Sequence, residues 1–270
     1  MYTLAYPTER EAMMAFDRTV AVVGCGGTGS LVAEGLCRLL QPNPDVRLLL
    51  VDHDRVDPHN LLRQAFFKGD VGRFKSEALA ERLARLFDRP IGYSVQQFSR
   101  DSYNGSPLSR AGIIVGCVDN PMARAEIASS IRPPCWWVDA GNGDNWGQVL
   151  IGNARSPEQL RHAFDPAKET CWALPMPSVQ RPELLLPATP ATPALDCAGA
   201  VQGGEQSPTI NQAMAALVLE VVHRITSRAC PWMALYLDLQ RGELKPVYAT
   251  PANAARVFGL RKNQVIDNRR

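Results

Sequence analysis

The sequence predicts an α/β fold of the Rossmann-like, doubly wound type, with a mainly parallel sheet and an antiparallel C-terminal part. Three observations carry this. Residues 18 to 140 alternate apolar strand-like runs with amphipathic helical segments, a glycine-rich loop sits at the first strand-to-helix junction, and a hairpin pattern appears near the end of the chain. The first strand is "RTVAVVG" (18–24), and the helix after it is "TGSLVAEGLCRLL" (28–40), with Val32, Leu36, Leu39 and Leu40 on one stripe. A second pair follows in "DVRLLLVD" (45–52) and "KSEALAERLARLF" (75–87), where Leu79, Leu83, Leu86 and Phe87 repeat that spacing. Further strands are expected at "YSVQQF" (93–98), "GIIVGCVD" (112–119) and "CWWVDA" (135–140), with one of Trp136 and Trp137 in the core.

After residue 140 the pattern changes. "NWGQVLIGN" (145–153) reads as a strand, and residues 173–194 carry too many prolines for a regular element and read as a long loop. A helix returns from about Pro208, with Ile210, Met214, Leu217, Val218, Val221 and Ile225 on one face. The segment "ALYLDLQRGELKPVYA" (234–249) forms a hairpin turning at Arg241 and Gly242.

Composition excludes several classes. The net charge is +2, and Lys and Arg are scattered along 270 residues rather than clustered, so no nucleic-acid-binding face is expected. Apolar runs fall well short of the ~20 residues that span a bilayer, and no basic-then-apolar leader opens the chain. A soluble, cytoplasmic protein with no membrane partner is expected. Seven widely spaced cysteines with no Cys-x-x-Cys pair imply reduced thiols and no structural zinc.

The glycine loop "VVGCGGTGS" (22–30) places Gly24, Gly26 and Gly29 as G-x-G-x-x-G between strand and helix, where backbone N–H groups can face an anion. Gly27 allows still closer backbone approach to a ligand. Asp52, at the end of the next strand, stands where a ribose-binding acid belongs, which suits NAD and ATP equally. The residues after it lean toward a triphosphate: "VDHDRVDPHNLLRQAFFKGDVGRFK" (51–75) gathers Asn60, Arg63, Gln64 and Lys75, more cations and donors than two bridging phosphates require, and Asp54 beside Asp52 is counted with the nucleotide-binding residues. Asp119, after "GIIVGCV", should emerge at a strand's C-terminal end, where its hard carboxylate suits Mg²⁺ or caps the helix that follows.

"GCGGTGS", "VDHDRVDPHNLLRQ", "DVGRFK" and "CVDN", in that order, resemble the ThiF/MoeB/HesA adenylyltransferases, relatives of the ubiquitin-activating enzymes. The segment "CAGAVQGGEQSPTINQAMA" (197–215) and the short N-terminus look most like the ThiF-type proteins of plasmid-borne PRTRC gene clusters. The resemblance implies one ThiF-type domain over residues 1–270, with a nucleotide-binding half (18–145) and a crossover loop, helix and hairpin (146–270) completing the sheet. It implies ATP over the glycine loop with its ribose on Asp52, the triphosphate against Asn60, Arg63 and Lys75, and Mg²⁺ at Asp119. The implied substrate is the C-terminal carboxylate of a small ubiquitin-like or sulfur-carrier protein, with a Gly-Gly-type terminus, which becomes an acyl adenylate with release of pyrophosphate. Arg63, Lys75 and Asp119 are then catalytic, and a homodimer is implied.

Two family features depart from the pattern. The Arg-rich N-terminal element of relatives is reduced to Arg10, and their paired zinc cysteines leave only Cys197. Should a thioester step follow adenylation, Cys171 in "KETCWALPMP", with Lys168 nearby to favour its thiolate, is the candidate nucleophile. An NAD-dependent oxidoreductase and a non-catalytic nucleotide-binding module are the competing readings.

Overall fold

The computed structural model describes residues 1–6, 17–104, 106–186, 207 and 209–267. A short strand β1 (Thr3–Leu4) precedes β2 (Asp17–Val23), β3 (Arg47–Val51), β4 (Ile91–Ser94), β5 (Ala111–Gly116), β6 (Trp136–Asn142) and β7 (Trp146–Gly152). Two short strands, β8 (Phe164–Asp165) and β9 (Thr170–Cys171), lead to β10 (Trp232–Asp238) and β11 (Glu243–Tyr248). The main sheet has eight strands in the order β11-β10-β7-β6-β5-β2-β3-β4, and β1, β9 and β8 make a separate small sheet. From β4 across to β6 neighbouring strands run parallel, and from β6 to β11 they run antiparallel. The chain leaves β2 toward β3 on one side and returns to β5 on the other. That reversal is a topological switch point, and it opens a crevice at the C-terminal ends of β2 and β5.

The helices are α1 (Gly27–Leu39), α2 (Lys75–Phe87), a single turn α3 (Arg100–Tyr103), α4 (Pro121–Ser130), a single turn α5 (Pro177–Gln180), α6 (Ile210–Thr226) and α7 (Pro251–Val257). Alternation within the strands sends side chains to two separate cores. Val20, Val22, Leu50, Ile113, Val115 and Trp136 pack with Leu36 of α1, Leu79 of α2 and Val218 of α6. Ala21, Val23, Val51, Ile114 and Trp137 pack on the opposite face with Ile127 of α4 and Phe98. Each fully buried Leu, Ile or Trp contributes about 2 kcal/mol or more of hydrophobic stabilisation.

This architecture corrects several sequence expectations. Trp136 and Trp137 are both fully buried, because β6 is covered on both faces and consecutive side chains enter opposite cores. The fourth strand begins at Ile91 and ends at Ser94, where its register with β3 (Leu48↔Ile91 to Val51↔Ser94) runs out, so Gln96, Gln97 and Phe98 leave the sheet. Leu86 is 67% exposed, so the buried stripe of α2 ends at Leu83 before the last turn. Within residues 173–194, the prolines do start ordered turns: Pro177 opens α5 and Pro182 opens a 3₁₀ turn (Pro182–Leu185), each at a first-turn position that needs no N–H. Arg10, Cys197 and Pro208 lie outside the described residues. Among the described residues, no helix is long and apolar enough to cross a membrane.

Candidate nucleotide and acyl site

The four glycines of the loop answer to different demands. Gly24 has φ +90°, and a Cβ there would lie 2.6 Å from the carbonyl oxygen of Cys117. A Cβ on Gly29 would lie 1.8 Å from the carbonyl oxygen of Gly24, and one on Gly27 would lie 2.5 Å from Nδ2 of Asn211 in α6. Gly27 is therefore required by the packing of α6 against the loop, a long-range contact that the sequence does not announce. Gly26 has only Gln64 Nε2 within reach, at 3.9 Å, and faces open space. Gly26, at the N-cap of α1, has no side chain to cap it and no acid occupies the first turn, which leaves N-terminal peptide groups open to an anion.

That open space is a cavity of about 320 Å³ over the C-terminal ends of β3, β2, β5 and β6. Gly24, Gly26, Gly27, Asp52, Asp54, Arg63, Gln64, Lys75 and Asp119 all line it. Asp52 is buried, with Oδ2 accepting from the Cys25 N–H (2.6 Å) and Oδ1 from the Asp54 N–H (2.8 Å). Burial raises its pKa, and those two hydrogen bonds oppose the rise. Lys75, buried at the start of α2, holds its Nζ 3.1 Å from Asp54 Oδ2. Gln64 Oε1 is buried without a hydrogen-bond partner among the described residues, an acceptor that a ligand donor would satisfy.

Three expectations change here. Gly29 does not line the cavity; its missing side chain is needed for close packing against the Gly24 carbonyl. Asn60 does not reach the cavity: its Oδ1 accepts from the Asp57 N–H (3.0 Å) and closes the 3₁₀ turn Pro58–Leu62, so it shapes the loop instead of lining the site. Asp119 is not the cap of α4. Asn120 is, with Oδ1 accepting from the Ala123 N–H at 2.8 Å. Asp119 is thus left exposed on the cavity wall, with no hydrogen bond or ion pair to another described residue.

At the β6 end stands a group absent from the sequence reading. Arg124 of α4 directs its Nε at Asp139 of β6, 3.3 Å from Oδ1 and 3.2 Å from Oδ2. Asp139 is fully buried, and burial pushes its pKa up to about 6 against the opposing pull of Arg124. Asn142, Trp146, Gln148, Leu184 and Asn211 complete this end of the wall. Thr28 Oγ1 lies 3.4 Å from Asn142 Oδ1 and 3.3 Å from Asn211 Oδ1, tying α1, β6 and α6 together.

The sequence profile of the ThiF family matches residues 9–240. The chain belongs to the ThiF family. Ubiquitin-like modifier-activating enzyme 5 of Caenorhabditis briggsae is 30% identical over 176 residues, which cover 60% of this chain and 37% of that protein. The Xenopus laevis protein of the same name is 30% identical over 141 residues, 47% of this chain and 34% of its own. The chain thus spans little more than a third of the length of the curated relatives it matches. Escherichia coli MccB with MccA-N7isoASN superposes with a TM-score of 0.60 at 16% identity, covering 85% of this chain and 64% of that one. MccB with ATP gives 0.58 at 16% identity (85% and 63%), and PaaA gives 0.58 at 18% (85% and 63%). These structures share the Rossmann-like ThiF-type fold.

In this ThiF-family chain Cys171 is not an exposed nucleophile. It lies fully buried in β9, paired with β1 and β8, its Sγ 3.2 Å from the Ala173 carbonyl oxygen, and it does not line the cavity. Burial pushes its thiol well above the usual range, and Lys168 faces Asp165 (3.8 Å) rather than the sulfur. Of the described cysteines, only Cys117 is less than fully buried, and it lines the cavity. Iodoacetamide is expected to leave Cys171 unlabelled in the native protein and to label it once the protein is unfolded. Rapid native labelling at Cys171, read by peptide mass spectrometry, would restore the nucleophile reading.

Proposed function

We propose that this chain is an ATP-dependent adenylyltransferase that activates the C-terminal carboxylate of a small ubiquitin-like or sulfur-carrier protein, or of a peptide. One observation carries the reading. A single cavity holds a glycine loop, a buried ribose-type acid (Asp52), two cations (Arg63, Lys75) on the β3 side and an uncommitted carboxylate (Asp119) at the end of β5. That is the complement a triphosphate with its cation needs. The relatives, a ubiquitin-like modifier-activating enzyme and the structural neighbour MccB, crystallised with ATP or with MccA, support the same assignment.

The chemistry follows from position. A carboxylate oxygen of the substrate bonds to the α-phosphorus of ATP, and the bond from that phosphorus to the bridging oxygen breaks. Pyrophosphate leaves with the electron pair. A carboxylate is already ionised at neutral pH, so no general base is needed. Arg63 and Lys75 hold the departing phosphates, and α1 offers its N–H groups to the charge that develops on the phosphate oxygens. Asp119, hard and unpartnered, would hold Mg²⁺, which supplies further neutralisation when bound. The reading carries no structural zinc, a homodimer, a cytoplasmic setting and a slim Gly-Gly-type substrate terminus passing the large side chains of Trp146 and Leu184.

Calorimetric titration with ATP plus Mg²⁺, and separately with NAD, tests it. ATP should bind and NAD should not, and Asp119→Ala should weaken the Mg²⁺-dependent part of ATP binding at least about tenfold through loss of one carboxylate ligand. Binding of NAD alone would replace the reading with that of an oxidoreductase.

A further inference from the structure

We propose that Arg124 and Gln148 form the cradle that receives the substrate carboxylate, directly above Gly141; this rests on the adenylation reading. Arg124 is only 7% exposed. Its Nε is committed to Asp139, yet neither Nη has an acceptor among the described residues, and the side chain lines the cavity. The Nη groups are open to the cavity rather than sealed in the core, so a ligand oxygen can take the place of water on them. Gln148, 3% exposed, is oriented from the other side: Arg181 Nη1 lies 3.3 Å from its Oε1, which leaves its Nε2 donor for the cavity. The two donors converge. Gly141 and Gln148 are register partners on β6 and β7, and a Cβ built on Gly141 would lie 3.1 Å from Arg124 Nη2 and 4.0 Å from Gln148 Nε2. The absent side chain at Gly141 is the space into which both groups point, and a planar fork beside an amide donor suits a carboxylate.

Sheet order says which anion this is. Arg63 and Lys75 stand beyond β3, and Arg124 stands against β6, three strand spacings away, or roughly 14 Å. In-line displacement puts the leaving pyrophosphate and the attacking oxygen on opposite sides of the α-phosphorus. With pyrophosphate held on the β3 side, the carboxylate arrives from the β6 side, where the cradle lies.

The test uses the full chain, N-acetyl-glycylglycine as probe and its C-terminal amide as control, followed through the ¹⁵N-arginine Nε–H signals. Arg124→Lys assigns the Arg124 signal. The carboxylate probe should shift that signal saturably, with and without the non-hydrolysable ATP analogue AMPCPP and Mg²⁺, and the amide should not. Gln148→Leu and Gly141→Ala, the latter placing a methyl group in the cradle, should each weaken the probe at least about tenfold and change AMPCPP affinity less than about threefold. Equal response to acid and amide, no response at Arg124, or a shift produced by AMPCPP alone would overturn the proposal. Because the probe is also titrated without nucleotide, failure of AMPCPP to bind the wild type would count against the adenylation reading, while the cradle would still stand or fall on the probe titration.

Discussion

Gly29→Ala is expected to abolish nucleotide binding and to lower the melting temperature by roughly 6–12 °C, the size of about 3 kcal/mol of overpacking in a domain of this length. The new Cβ would fall 1.8 Å from the Gly24 carbonyl oxygen and 2.9 Å from its carbon, and both are backbone atoms that cannot rotate aside. Gly24 has nowhere to go. Its N–H donates to Val51 O (2.9 Å), it holds φ +90°, and Cys117, whose own N–H donates to Val23 O (2.7 Å), presses on it from β5. Displacement must therefore spread into the ends of β2, β3 and β5, the three strands that build the site. Gly26→Ala provides the contrast, because its Cβ would meet only Gln64 Nε2, at 3.9 Å. That variant should keep the wild-type melting temperature and lose affinity for ATP, since its methyl group occupies ligand space. A Gly29→Ala protein that melts and binds ATP like the wild type would show that the loop is far softer than these distances imply.

The two glycines also show what a sequence can and cannot disclose. Strand and helix positions follow from local periodicity, and the glycine loop with Asp52 is a local motif, so both are legible. The reasons for individual glycines are not, because Gly27 is dictated by Asn211, which lies in a distant helix. Asn60 and Arg63 share one loop and both can donate hydrogen bonds, yet only Arg63 lines the cavity; the 3₁₀ turn that decides between them is a matter of backbone geometry. Order along the chain points to Cys171 but carries no information on burial. Arg124, Asp139 and Gln148 meet through α4, β6 and β7, and no spacing in the sequence records that meeting. A signal does exist. An Asp inside "CWWVDA" and a Gln inside "NWGQVLIGN" are polar residues within runs that read as fully buried strands, and such residues require partners.

Asp139 is where stability and function are expected to separate with pH. Raising a carboxyl from 3.8 to about 6 corresponds to about 3 kcal/mol of preference for its neutral form. Between about pH 4 and pH 6 the native protein therefore binds more protons at this group than the unfolded chain does, and the contribution of Asp139 to stability falls as pH rises through that window. Function runs the other way. The groups facing Asp139 are Arg124 from α4 and the Cys117 thiol, itself kept neutral by burial, so an ionised Asp139 is what fixes the guanidinium. Affinity for N-acetyl-glycylglycine should then decline as pH falls through about 6, far above the titration of the probe's own carboxyl. Asp139→Asn keeps an acceptor for Arg124 Nε and has nothing to titrate, so its affinity should be flat over the same range. Asp139→Ala should cost less stability at pH 7, where burial of the ionised carboxyl already works against the fold, than at pH 5, read from urea unfolding at the two values. An inflection near pH 6 that survives in Asp139→Asn would assign the titration to another group and leave the Arg124 geometry independent of its buried carboxylate.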